Sequence, residues 1–233
     1  MRKALHRNSV IKLLISLFQR KSFALNGLDR KLYKIISKKN GVFIEAGANN
    51  GIRQSNTLFL EKYYGWNGIL IEPIPVLYEE CKKNRTNAIV EQCALVSSTF
   101  TKNEIKMTYC NLMSITNDTF KDENEKVKHL TKGKSFLKEG EKIYDIDVPV
   151  KTLNKIIEDN KITKIDLLIL DIEGYEFEAL NGLDLDRHKP EYILIEVRKI
   201  SKIYEYLKNF YFIYSTLSVN KDYSDILFKR IDD

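Results

Sequence analysis

The stretch Val42-Phe43-Ile44-Glu45-Ala46-Gly47-Ala48-Asn49-Asn50-Gly51 decides how the rest of the chain reads. An apolar strand-forming run ends in a carboxylate and passes at once into a glycine-containing turn. Gly47 and Gly51 let the backbone turn tightly and let a ligand approach without interference from a Cβ. The pattern is not the G-x-G-x-x-G of dinucleotide folds, because the close glycine pair is missing and Glu45 precedes the turn. A P-loop lysine is absent as well.

Outward from that turn, short apolar runs alternate with helical segments, which is the pattern of βα units and a mostly parallel sheet. A helix is expected over residues 55–64, with Leu58, Phe59 and Tyr63 for the core and Gly65 closing it. A second strand, residues 68–72, again ends in a carboxylate and is stopped by Pro73. A helix over 76–83 leads to a third strand at 87–91, which residues 92–96 extend or close. From about 97 to 147 the alternation fails. This polar stretch, with Tyr109, Met113 and Phe120 interspersed, reads as an insertion with some strand or helix of its own. Order returns at 148–151, and Thr152 caps a helix over 153–158.

The run Ile165-Asp166-Leu167-Leu168-Ile169-Leu170-Asp171 is apolar enough to be buried on both faces. A short helix ending near Gly182, a strand at 192–196 and a helix near 202–208 follow. Residues 210–214 and 225–228 form a closing antiparallel pair. The expected fold is α/β: a doubly wound, seven-stranded, mostly parallel sheet with a final antiparallel strand. Residues 1–41 form a helical extension, and 42–233 form the domain that holds the insertion.

In such a sheet, ligands bind beyond the carboxyl ends of the strands. Glu45, Glu72, Asp171 and Glu196 all stand there. A charge just past a buried run costs desolvation unless something binds it, so four on one edge indicate a site. Glu72, about 20 residues past the glycine turn, suits the two hydroxyls of a ribose.

Composition bounds the alternatives. With 38 Lys+Arg against 32 Asp+Glu in 233 residues, the formal charge is +6, but the lysines are spread, with only short clusters at Lys38-Lys39 and Lys82-Lys83. They read as a solvated surface in preference to a nucleic-acid face. Cys81, Cys93 and Cys110 show no CxxC or zinc spacing, which points to free thiols in a reducing, cytoplasmic setting. Met1 to Arg7 is basic and residues 10–18 are apolar apart from Lys12 and Ser16. That imitates a signal peptide but offers no small-residue cleavage site, and it falls short of the ~20 residues of a membrane span. A helix docked on the domain is preferred over peripheral membrane contact.

Glu45-Ala-Gly-Ala-Asn-Asn-Gly51, Ile71-Glu72-Pro73, Val150-Lys-Thr-Leu153 and Asp171-Ile-Glu-Gly-Tyr-Glu176 together resemble the FkbM family of S-adenosylmethionine methyltransferases. The last of these motifs is the most specific. Family members often carry aspartate where Glu45 stands, and the charged insertion is particular to this chain. The resemblance implies a Rossmann-like class I methyltransferase fold and S-adenosylmethionine as cofactor. It also implies O-methylation, frequently of carbohydrate hydroxyls in glycans. Glu45 would then face the amino-acid end of the cofactor, directly or through water, with the backbone of Gly47, Ala48 and Gly51 around it. Glu72 would hold the ribose, Pro73 and Ile74 the adenine, and Ala94 the adenine through its backbone. Asn49, Asn50, Ser55 and Asp171 would be polar neighbours.

Methyl transfer to a hydroxyl needs in-line alignment and a way to remove a proton, by a general base or a metal. Asp171 and Glu196 end what should be adjacent strands, and His129 and His188 are the other base candidates. Asp171, with Glu173 and Glu196, could bind a divalent cation such as Mg2+ or orient the acceptor. Base-amino methyltransferases commonly carry an Asn-Pro-Pro-Tyr-like motif where this chain has Asp171-Ile-Glu-Gly. That weighs against them but not against an RNA ribose hydroxyl. A nicotinamide-dependent dehydrogenase is disfavoured by the glycine spacing. A catalytically silent binding module on the same fold is the remaining alternative.

Overall fold

The structure is a computed structural model that describes residues 20–120 and 122–232. The apolar run at 10–18 expected to dock as a helix lies outside the described residues. A 3-10 turn, Leu25–Gly27, leads into helix α1 (Leu28–Ile36). Then follow β1 (Val42–Ala46), α2 (Leu58–Tyr64), β2 (Asn67–Ile71), α3 (Pro75–Asn84), β3 (Ile89–Glu91), β4 (Ala94–Leu95), β5 (Glu104–Tyr109) and β6 (Ile115–Thr116). The second half contains α4 (Glu123–Gly133), β7 (Tyr144–Lys151), α5 (Leu153–Asp159), β8 (Leu167–Leu170), α6 (Glu176–Leu180), β9 (Tyr192–Val197), α7 (Ile200–Leu207), β10 (Tyr211–Val219) and β11 (Ser224–Arg230). Among the described residues no helix is long and apolar enough to cross a membrane.

Seven strands form one sheet in the order β10-β11-β9-β8-β1-β2-β3. Strands β3, β2, β1, β8 and β9 run parallel, and β11 is antiparallel to both β9 and β10. The near-continuous apolar runs follow from burial on both faces. Ile44, Ala46, Leu168, Leu170, Ile193 and Ile195 pack with residues of α5, α6 and α7. Their alternates Phe43, Leu167, Ile169 and Leu194 pack with Leu32 of α1, Phe59 and Leu60 of α2 and Cys81 of α3. The period of two in each strand thus sends successive side chains into two different cores, and the sheet is doubly wound.

The third strand departs from the sequence reading. β3 ends at Glu91, and residues 94–95 neither extend nor close it. They leave the main sheet and pair parallel with β7, in a second sheet ordered β4-β7-β5-β6. That sheet has its own apolar core of Ile105, Met107, Tyr109 and Val148, packed with Ile74, Leu77 and Tyr175. It lies alongside the carboxyl ends of the parallel strands.

Candidate functional site

The chain leaves β1 toward β2 on one side and has β8 on the other, so the order of the sheet reverses at β1. A crevice opens at such a switch point. Here it is a cavity of about 710 Å³, lined by Glu45, Glu72, Asp171 and Glu196 at the strand ends and reaching up under the second sheet and α4. That volume is within the range of small-molecule sites.

Gly47 forms the floor. Its φ is +86°, and a Cβ there would lie 1.9 Å from the carbonyl oxygen of Asp171. Only glycine fits between the ends of β1 and β8. Glu45 is almost fully engaged within the protein. Its carboxylate accepts from the Asn56 backbone N–H at 2.7 Å, the Ser55 hydroxyl at 3.2 Å and the Thr57 hydroxyl. A carboxylate has about four acceptor positions, so one remains for a ligand. Beside it, Asn56 Oδ1 is buried without a partner and lines the cavity. This second free acceptor was missed in the sequence, where Asn56 has no distinguishing neighbour.

Glu72 accepts from the Asn49 N–H at 2.8 Å and the Ile74 N–H at 2.9 Å, one on each oxygen. Both remaining lone-pair directions are free for hydroxyls in the cavity it lines. Burial pushes its carboxyl up to about 7, against the two backbone hydrogen bonds that favour the charge.

Five residues expected at the cofactor, Ala48, Asn50, Gly51, Ser55 and Ile74, fall outside the cavity lining. Ile74 is fully buried in the core of the second sheet. The Asn50 side chain caps the Ile52 and Arg53 N–H groups. The Ser55 hydroxyl is consumed between Glu45 and Arg85. A Cβ on Gly51 would meet Arg85 Cγ at 2.6 Å. These residues shape the loop that borders the cavity. Pro73 and Ala94 do line the cavity, as does Asn49.

Arg85 explains that shape and is the second residue that escaped sequence reading. It is 1% exposed, and all five of its N–H donors are satisfied. Two go to Glu61, at 2.9 and 2.7 Å, and the others go to the Gly51 carbonyl and the Ser55 and Thr57 hydroxyls.

On the acceptor side, the register Leu170↔Ile195 sets Asp171 and Glu196 side by side, on strands about 4.8 Å apart. Burial raises both carboxyls. The neighbouring Glu173 and Glu176 raise Asp171 further, and Asp171 and Glu173 raise Glu196. Two such neighbours cannot both ionise easily, so the pair retains a proton near neutrality. The Glu176 carboxylate accepts from the Ile172 and Gly174 N–H groups and closes the loop that presents Asp171.

His129 is on α4, where its Nε2 lies 3.1 Å from the Met113 carbonyl and 3.7 Å from Glu173. A carbonyl accepts only, so Nε2 carries the proton and Nδ1 is the free acceptor. Burial, then the charge of Arg198, lowers its pKa to about 4, so the imidazole is neutral. His188 is a correction. It lines a separate hollow with Lys164 and Arg230, before β9 begins. Residues 192–195 of β9, roughly 13 Å of strand, lie between it and Glu196.

The metal reading does not fit these donors. Among the described residues no group of three or more Asp, Glu, His or Cys side chains could hold an ion. The Arg198 guanidinium donates to Glu173 at 2.6 Å and lies 3.8 Å from Glu196. A divalent cation between Asp171, Glu173 and Glu196 would face that fixed positive charge. Turnover should therefore be unchanged within about twofold after exhaustive chelation. A large loss restored by Mg2+ would reinstate the ion.

Comparison with known proteins agrees with this architecture. The sequence model of the methyltransferase FkbM domain matches residues 45–223. The methyltransferase sdnD of Sordaria araneosa is 27% identical over 168 residues, covering 62% of this chain and 61% of that protein. The chain thus spans about three fifths of that relative's length. A human methyltransferase 10 domain containing protein superposes with a TM-score of 0.50 at 10% identity, covering 88% of this chain and 83% of that one. An O-methyltransferase from Bacillus cereus gives 0.49 at 10% identity, covering 99% and 90%.

Proposed function

The chain belongs to the FkbM methyltransferase family, and from that premise we propose that it transfers a methyl group from S-adenosylmethionine to a carbohydrate hydroxyl in glycan or polysaccharide biosynthesis. The observation that supports this most directly is one cavity with four carboxylates at parallel strand ends, of which Glu72 keeps two acceptor positions and Glu45 one for a ligand. Glu72 takes the ribose hydroxyls. Glu45 and the orphaned Asn56 oxygen take the ammonium end. Pro73 and Ala94 line the adenine side. When bound, the cofactor supplies an electrophilic methyl carbon on a sulfonium.

The protein's own task is to hold an acceptor oxygen in line and to remove its proton. Asp171 is the better-placed proton acceptor: it lines the cavity just past the end of β8, where its backbone carbonyl packs on Gly47. Glu196 is wedged beside Arg198 and opposite Asp225. Neutral His129 and the Asn111 side chain orient the acceptor from the second sheet and α4. Phe120 and Met113 line the same space and suit the apolar face of a sugar ring, whereas Tyr109 is buried in the cap core against Tyr144. The three cysteines are free and buried, which favours a cytoplasmic setting.

Titration with S-adenosylhomocysteine at several pH values, beside labelled methyl transfer, tests the assignment. Glu72 accepts both hydroxyls only when ionised, and its pKa is raised to about 7. Affinity should therefore be full above that value and fall as pH drops through it, roughly tenfold between pH 8 and 6. Glu72→Gln should cost about 1.5–3 kcal/mol of binding and flatten this slope. A Gln variant that binds normally would remove Glu72 from the site.

A further inference from the structure

The walls of the cavity are sorted by charge. Glu45, Glu72, Asp171, Glu196 and Asp225 form the floor, at the ends of strands. The rim carries Arg53, Lys128, Lys132 and Lys199 against only Glu125 and Asp222. Glu125, Lys128, His129 and Lys132 recur at spacings of three and four on α4, so one helix face lines the cavity. Lys132 is held by Asp222 at 2.5 Å. Lys128 and Lys199 are exposed, and neither has an ion-pair partner among the described residues.

The deeper groups around them are also incomplete. Arg198 Nε, adjacent in sequence to Lys199, is a buried donor with no acceptor. Asn111 Oδ1 is a buried acceptor with no donor, and Asn111 is only 3% exposed. Both residues line the same cavity. A buried N–H left unpaired costs about 1–3 kcal/mol, so these atoms mark where ligand atoms belong. An occupant that satisfies Asn111 has a hydroxyl to donate. One that satisfies Arg198, Lys128 and Lys199 has an anionic oxygen, and charge-assisted bonds to it are the strong kind.

We propose that the methyl acceptor is an anionic sugar, with its carboxylate or phosphate group seated at Lys128, Arg198 and Lys199 while a hydroxyl faces Asp171. This rests on the methyl-transfer reading above and narrows its substrate class. A neutral sugar would leave two lysines and one buried guanidinium donor unused at the mouth. The cationic rim also concentrates anions before they bind, an effect that salt screens.

The test is a panel of matched acceptors with labelled cofactor: methyl glucoside against methyl glucuronide, and glucose against glucose 1-phosphate and a uridine diphosphate sugar. Binding is read by calorimetry with S-adenosylhomocysteine present. The expected result is at least a tenfold preference for an anionic member of one pair. The uronate arm and the phosphate arms tell which anion is used. The double variant Lys128→Glu/Lys199→Glu should remove that preference while S-adenosylhomocysteine still binds within about twofold. Neutral members used equally well, a preference that survives the double variant, a panel in which nothing binds, or a preference for an RNA oligonucleotide overturns the proposal. If S-adenosylhomocysteine itself fails to bind the unmodified protein, the underlying methyl-transfer reading falls instead.

Discussion

Asp171→Asn should lower the methyl-transfer rate by about 10²–10⁴ while leaving cofactor affinity within a few-fold. Asparagine keeps the size and the backbone carbonyl that packs on Gly47, so the cleft retains its shape. What it loses is the ability to take a proton. The matched variant Glu196→Gln should be far milder, within about tenfold. Glu196 is buried, its Oε1 has no hydrogen-bond donor, and its carboxyl is pushed up by burial and by Asp171. A neutral amide therefore resembles the form it already holds. Because Glu196 already holds its proton, Glu196→Gln removes no charge from beside Asp171 and should leave the acid limb of the rate profile in place. Equal losses in both variants, or a silent Asp171→Asn, would show that proton removal lies elsewhere, with His129 Nδ1 next in line. His188→Ala serves as the control, since β9 separates it from the cavity.

The fold was legible because its signals are local. Ile165 to Asp171 and Tyr192 to Glu196 are apolar on both alternations, and that pattern has one common cause, a strand covered on two sides. The acidic strand tips were legible for the same reason: a charge directly after such a run stands out. What the sequence hid was set by contacts between distant segments. Residues 94–95 look like a continuation of β3, and only their pairing with β7, some 55 residues later, carries them into another sheet. His129 and His188 are equivalent as letters, yet α4 turns one into the cavity while the other falls at the opposite end of β9. Ser55 is implied by the family resemblance as a polar neighbour of the cofactor. Its hydroxyl is instead occupied by two side chains, one of them 30 residues away.

That distant residue, Arg85, gives the second large effect. Arg85→Met should destabilise the protein by about 3–5 kcal/mol, because it leaves the Glu61 carboxylate buried and unpaired and strips donors from the Gly51 carbonyl. For a chain of this size the melting temperature should drop by roughly 6–20 °C. Lysine should not rescue it: three rotatable donors cannot replace five fixed ones. The lost bonds to Ser55 and Thr57 reach further, since those hydroxyls also hold Glu45, the residue proposed to meet the cofactor's ammonium. Cofactor affinity should fall together with stability, even at temperatures where the variant is folded. Adding Glu61→Met should recover much of the stability, because it removes the stranded charge, but not the affinity, because the loop from Gly51 to Thr57 still lacks its anchor. Recovery of both in the double variant would mean that Arg85 serves only to neutralise Glu61, and that the loop holds its shape without it.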